Sequence, residues 1–549
     1  MHYWRGVITH LSIVLAQPTY LAVRHFLGHV SFQSSHPLYV ATHVAVWVYI
    51  ATRITIPFFK SPLRRLPSPP GEKFLLCHLN FNGGQPPTTI MEDMVNSMPN
   101  DGILVVWLPL YLSCEIIVTR PDTLMDMLNS HNYDWEKPPF IRKALAGIVG
   151  EGLVNVEGAK HKAMRRVVAP AFSGRHIREL APLFYSKGLA LAAVMAHQVR
   201  DSSDGVLDVT GPVSRAALDI IGAAGVGMDF DTLENENSRL AKLYQTVTNA
   251  PAFFLLVSML FPRWLLRRLK GTGFARTIEA QLQLHDEIRK LMQEKKALLR
   301  EEKSDAHDVN DIIASIMRAG DFSDDYLVSQ MLTFLAAGHD TVASALTWAL
   351  MLLAQHPRVQ DRLHAECNAK LAHLPTSEVG ASTFEPENMP FLTAVCNETL
   401  RLYPPAPSTA RHAVVDTTVG DVRVPKGTVA TVSPWAINRS RALWGADAAE
   451  FNPDRWLEGP HAAAGGAESP YAFLAFLHGP RSCIGQSFAR LEVKCLLAAL
   501  VTRFRFEIAD PGRKIKVVGF VTIKPQGGLR LKVHDRKERV DGANAESHG

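Results

Sequence analysis

Hydrophobic positions fall into distinct regimes along the chain. Residues 37–59, PLYVATHVAVWVYIATRITIPFF, are apolar apart from His43, Arg53 and a few threonines. About 20 such residues suffice to cross a bilayer core. Lys60, Arg64 and Arg65 follow at once, as expected of a cytoplasmic flank. A buried core helix is the alternative for this stretch, and an earlier apolar run over 7–32, with several histidines and Arg24, makes a weaker second span. LPSPPG, residues 66–71, cannot continue a helix because proline fixes φ and lacks a backbone donor. It reads as a stiff hinge. The expected organisation is therefore an anchor region over 1–60, a basic, proline-rich hinge over 61–71, one large folded domain over 72–533 and a polar tail over 534–549.

From about residue 160 to 402 the periodicity is helical, punctuated by proline and glycine, whereas 414–434 and 516–533 are rich in β-branched residues and predict strands. The fold class expected is mainly α with small β-sheets. One helix is unusually long. Ser323 suits an N-cap, Asp324 and Asp325 lie in the first turn, and no strong stop signal comes before His356-Pro357. At 1.5 Å per residue it spans roughly 50 Å. Ala336-Ala337-Gly338-His339-Asp340-Thr341 interrupts it. Glycine costs about 1 kcal/mol there relative to alanine, and a threonine bonding back to the preceding turn bends a helix. The flanks LTFLA and VASALTWALMLL are apolar around the whole circumference, which implies burial and not a polar surface turn. Glu398 and Arg401 stand three apart on one helical face within FLTAVCNETLRLYPP, and Arg455 lies in the turn-rich FNPDRW. An exposed ion pair is the alternative reading for these.

Composition narrows the classes. Of 549 residues, 47% are hydrophobic and 20% charged, so a sizeable core is available, and a net charge of +5 is too small for this length to suggest nucleic acid as a partner. Six cysteines lack CxxC spacing, which argues for a reducing compartment and against a zinc site or a disulfide framework. One of them, Cys483, sits in FLAFLHGPRSCIGQSFARLE, after a Gly-Pro turn and just ahead of a helical run. That position favours a thiolate. A thiolate serves either as a nucleophile, for which His478 is the nearby base, or as a metal ligand. As an axial ligand of haem iron it would need donors to sulfur, a cation for the propionates and apolar shielding, which the loop's N–H groups, Arg481 and Phe476 supply.

Phe476-x-x-Gly479-x-Arg481-x-Cys483-x-Gly485 matches in full the haem-binding signature of the cytochrome P450 family. Ala337-Gly338-x-Asp340-Thr341 resembles that family's oxygen-activation motif, and Glu398, Arg401 and Arg455 resemble its structural Glu-Arg-Arg triad. The hydrophobic front end, basic flank and proline hinge are similar to its microsomal members, so the resemblance runs from about residue 37 to 533. It implies a single large haem domain behind an N-terminal anchor, in the endoplasmic reticulum membrane with the catalytic domain cytosolic. It implies haem b with Cys483 as the axial ligand, Phe476 and Arg481 against the cofactor, and propionate contacts from Arg411, His161 and Arg165. His161 stands where the family usually has tryptophan, and Val342 where a second hydroxyl is common. Asp340 and Thr341 become the proton-delivering pair, in a groove opened at Gly338. No dinucleotide fingerprint or fused flavin segment is present, so electrons are expected from NADPH through a separate cytochrome P450 reductase, with cytochrome b5 as a second donor. The substrate expected is a lipophilic small molecule reaching a mostly apolar pocket lined from 138–149, 249–260, the Ala337 face, 405–409 and 517–520. The basic and apolar stretch 250–270 suits a membrane surface. Similarity to fungal members suggests a polyketide or terpenoid tailoring step, by hydroxylation or epoxidation. Alkyl-chain hydroxylation is the alternative, and a haem-thiolate isomerase or dehydratase the rival class.

Overall fold

The computed structural model describes residues 59–69, 87–99, 101–107, 113–235, 238–248, 261–269, 271–301, 311–519 and 521–536, with a few isolated positions besides. The expected span over 37–59 and most of 249–260 and of the tail lie outside the described residues. Among those described, no single helix is long and apolar enough to cross a membrane. One bent pair, Gly158–Glu179 with Ala181–Asp201, meets the length and composition test, but it buries Met164, Phe184, Leu191 and Met195 in the core.

Eight helices frame the site: α1 (Pro139–Val149), α2 (Gly158–Val168), α3 (Ala181–Asp201), α4 (Thr210–Ile221), α5 (Gly273–Glu301), α6 (Asp324–Gln355), α7 (Pro390–Leu402) and α8 (Gln486–Arg503). The described residues form twelve short strands: β1 (Ile103–Trp107), β2 (Cys114–Val118), β3 (Trp135–Glu136), β4 (Val206–Asp208), β5 (Thr409–Ala413), β6 (Thr417–Val419), β7 (Val422–Val424), β8 (Val429–Val432), β9 (Phe504–Ile508), β10 (Val517–Val518), β11 (Lys524–Pro525) and β12 (Arg530–Asp535). The largest sheet has the order β1-β2-β8-β5-β3, parallel only between β2 and β8. The sequence-based expectation of a mainly helical fold with small sheets holds.

Helix α6 begins as its sequence indicates, with Ser323 Oγ accepting from the Tyr326 N–H at 3.3 Å. Its residues are buried on every side from Leu327 to Leu335 and again from Val342 to Ala354, so it runs through the middle of the core. Helix α8 lies against α3, where Phe184 and Phe488 meet edge to face at 4.7 Å. A Cβ on Gly188 would come within 2.9 Å of Ala499 Cβ, so glycine permits this close approach of the two backbones.

Candidate active site

Cys483 is held by a tight loop. Its N–H donates to Phe476 O at 2.9 Å, closing the turn through Gly479-Pro480. Gly479 has φ +75°, and a Cβ there would fall 2.0 Å from Leu128 O, so no other residue fits. His478 braces the same loop, its Nε2 lying 2.8 Å from Pro470 O and 3.1 Å from Phe473 O. It is therefore not placed as a base for the thiol, and the nucleophile reading loses its partner. Burial raises the Cys483 pKa, while the Gly485 N–H and the Arg165 charge lower it. Helix position alone suggests a lowered value; in the fold, desolvation is the larger effect.

Protein surrounds the Cys483 thiol, yet the residue is exposed, so it faces an internal space. Helix α8, which begins just after the loop, packs against α6. Within that otherwise buried helix, Ala337 is exposed and Ala336, Gly338, Asp340 and Thr341 are partly exposed. Phe172 links the cysteine loop to α6, lying 3.8 Å from the position of a Cβ on Gly485 and packing edge to face on Phe334 of α6 at 5.5 Å. Thr341 Oγ1 donates to Ala337 O at 2.7 Å, the back-bond that its sequence position suggests. Gly338 has a packing reason of its own: a Cβ there would meet Ile221 Cγ1 of α4 at 2.6 Å. His339 also points at α4, with Nε2 2.7 Å from Ser214 Oγ, and burial pushes its pKa down to about 4.

A cation cluster borders this space. His161 is 4% exposed and its Nδ1 has no hydrogen-bond partner. Burial, then the charges of Lys137, Arg165 and Arg411, push its pKa down to about 4. Arg165 Nη1 donates to Ser482 O at 2.7 Å, in the cysteine loop. Arg411 is buried and, among the described residues, donates to Thr409 Oγ1 and Ala410 O, at 2.9 and 3.0 Å; burial lowers its pKa to about 10. Arg481 pairs with Glu157, donates from Nε to Asn132 Oδ1 at 3.2 Å and leaves Nη2 buried without a partner. Lys137 Nζ reaches the same Glu157 at 3.2 Å. Even so, burial and the neighbouring Arg411, Arg481 and Arg142 charges push Lys137 down to about 6. Positive charge exceeds the two nearby carboxylates, Glu136 and Glu157.

Glu398, Arg401 and Arg455 do come together. Arg401 binds Glu398 in a fork, Nε to Oε2 and Nη2 to Oε1, both at 2.8 Å, and Arg455 Nε donates to Oε1 at 3.0 Å. Trp456 Nε1 and the Asn452 N–H complete the carboxylate's shell at 2.9 and 3.0 Å. Arg401 further donates to the carbonyls of Asn438, Ala448 and Glu450 at 2.8, 2.6 and 2.9 Å. Asn438 Oδ1 in turn accepts from the Leu474 N–H at 2.8 Å, at the start of the cysteine loop. Fully buried ions of this kind persist because both partners are completely hydrogen-bonded.

Residues 69–531 match the family model for cytochrome P450. The chain belongs to the cytochrome P450 family. It is 38% identical over 505 residues to cytochrome P450 monooxygenase sphH of Aspergillus fumigatus, covering 89% of this chain and 92% of the relative. Cytochrome P450 monooxygenase ptmK of Penicillium ochrochloron is 34% identical, covering 89% and 96%. For cytochrome P450 monooxygenase FUM15 of Gibberella moniliformis the identity is 33%, covering 91% and 92%.

The residues of this P450 fit the haem that the family implies. An accessible but enclosed thiol can serve as a metal ligand. A buried surplus of positive charge, with polar atoms lacking a partner at His161 Nδ1 and Arg481 Nη2, suits two propionates. Cys483 would hold the iron, and Lys137, His161, Arg165, Arg411 and Arg481 the propionate edge. Sequence reasoning missed Lys137, Glu157 and the His339–Ser214 contact. The available signal for Lys137 was a lysine in the aromatic stretch NYDWEKPP, just before a helix-starting proline.

Proposed function

We propose that this P450 transfers one oxygen atom from O2 to a lipophilic small molecule, as a hydroxylating or epoxidising step in fungal secondary metabolism. The observation that carries the reading is the accessible Cys483 thiol in its braced loop, joined through Phe172 to α6, whose buried run is broken at the Ala337–Thr341 turn. For a hydroxylation, R–H, O2, NADPH and H+ yield R–OH, H2O and NADP+, with electrons arriving through a separate membrane-bound reductase. Bound haem supplies the iron that activates dioxygen. The chain does the rest. Cys483 and the cation cluster hold the cofactor, the triad fixes the cysteine loop, the apolar walls of α6 exclude water, and Thr341 and Asp340 deliver protons.

The fungal origin of the relatives supports the tailoring role. An endoplasmic reticulum location is supported by the apolar run over 37–59 with its basic flank, and by a surface where Phe261, Trp264 and Leu269 are exposed beside Arg263, Arg267 and Arg268. The test is twofold. Deleting the gene should make a lipophilic precursor accumulate, and the purified enzyme with reductase, NADPH and O2 should convert that precursor to a product heavier by one oxygen. Conversion without O2 or reductase would overturn the monooxygenase step.

A further inference from the structure

Asp340 is not a free carboxylate in the fold. Its Oδ1 lies 2.6 Å from Lys524 Nζ, on β11 of the C-terminal hairpin. The neighbouring residue, Ile523, accepts at its carbonyl from Ser344 Oγ at 2.7 Å and from Trp348 Nε1 at 3.4 Å. Positions 340, 344 and 348 form one stripe of α6, so two adjacent hairpin residues bind three consecutive turns of that helix. Thr341 is one position round from this stripe, in the turn that opens to the internal space. Lys524 is partly accessible, with its side chain 32% exposed against 15% for Asp340. The ion pair thus stands between solvent and the turn that carries Thr341.

We propose that Lys524 is a positioning residue for proton delivery: it fixes the Asp340 carboxylate beside Thr341 at the hairpin side of α6. The proposal rests on the reading above, in which Asp340 and Thr341 deliver protons. Stability alone gives the pair little reason to exist, since a partly exposed ion pair contributes about 0–1 kcal/mol. The hairpin is in any case already fastened by Ser344 and Trp348, and by the Ile523 N–H to Pro405 O at 3.0 Å. Among the described residues, the carboxylate's orientation has no other fastening of this strength: His339 on the same turn faces α4 and Ser214.

The test compares Lys524→Met, Lys524→Arg and Asp340→Asn in the full-length holoenzyme with reductase and NADPH, using as substrate the precursor that accumulates in the deletion strain. Readouts are product per NADPH, hydrogen peroxide per NADPH, the carbon-monoxide spectrum, the melting temperature and hydrogen exchange over residues 517–525. Lys524→Met should lower product per NADPH about tenfold, a part of the roughly 10²–10⁴ that a positioned acid contributes. Peroxide should rise, spectrum and melting temperature should stay at wild-type values, and Lys524→Arg should recover most of the loss. Asp340→Asn should be at least as uncoupled. Wild-type coupling in Lys524→Met beside an uncoupled Asp340→Asn would overturn the inference and leave the proton-delivery reading standing. Wild-type coupling in Asp340→Asn would refute that reading itself. A loss in Lys524→Met that tracks hairpin exchange and melting temperature, without rescue by arginine, would show a purely structural role and also overturn the inference.

Discussion

Replacing Glu398 with glutamine probes the triad with the least change of shape. The carboxylate accepts from five donors: Nε and Nη2 of Arg401, Nε of Arg455, Nε1 of Trp456 and the Asn452 N–H. Glutamine offers one oxygen in place of two, turns an NH2 toward donors and leaves Arg401, fully buried, without its counter-charge. Breaking a buried pair from one side costs about 3–5 kcal/mol, against a total stability of about 5–15 kcal/mol for a folded domain. The damage should travel along a definite route, from Arg401 to the Asn438 carbonyl and from the Asn438 side chain to Leu474. The cysteine loop should therefore lose its anchor before the rest of the helical core unfolds. Haem content of purified Glu398→Gln should fall to a small fraction of wild type. Urea unfolding of whatever folds should give a lower midpoint with an unchanged slope. Wild-type haem content together with a destabilisation below about 1 kcal/mol would show that the triad does not carry this load.

Further consequences are equally open to measurement. Thr341→Ala should keep the haem spectrum while diverting NADPH electrons into hydrogen peroxide, and normal coupling of NADPH to product would contradict its assigned role. Lys137→Met removes one hydrogen-bond donor from the propionate edge and should speed haem loss to apomyoglobin roughly tenfold or more, the worth of a hydrogen bond to a charged group; an unchanged rate would remove Lys137 from the site. His339 stays neutral in the fold down to about pH 4, mainly through burial, while in the unfolded chain it takes up a proton near its ordinary value of 6.5. Folding stability should then decline as pH falls from about 6.5 to about 4, by on the order of 3 kcal/mol from this residue. His339→Gln should flatten that limb of the curve in urea titrations, and an identical acid limb would show that His339 titrates normally.

The readable features were those with local signatures. Ser323 and the two aspartates mark the start of α6, the β-branched run over 414–434 contains β6, β7 and β8, and the run over 516–533 contains β10, β11 and most of β12. The Cys483 loop, the Glu398 and Arg401 spacing and the Ala337–Thr341 turn were likewise legible as chemistry, because each needs fixed residue types at fixed spacing. What escaped was settled by partners distant in sequence. Gly338 invites a reading as an opening in the helix, but the space that its missing Cβ would occupy belongs to Ile221. Asp340 looks like a free acid until Lys524 is folded back onto it. Lys137 has only its place in an aromatic stretch before a proline and Glu157 has no periodic or motif signal, and the approach of β3 to the start of α2 is what makes them a pair. The thiol's pKa direction also depends on the fold, since desolvation of Cys483 outweighs the Gly485 N–H and Arg165 contributions.

The central claim is that Cys483 is the axial ligand of a haem bound in the enclosed space below α6. It is tested most directly by the carbon-monoxide difference spectrum of the reduced protein, taken for wild type and for Cys483→His. Wild type should show the strongly red-shifted Soret band of thiolate-ligated haem, and Cys483→His should lose it even where haem is retained. A wild-type spectrum of the imidazole-ligated kind, or a thiolate band that survives in Cys483→His, would contradict the account.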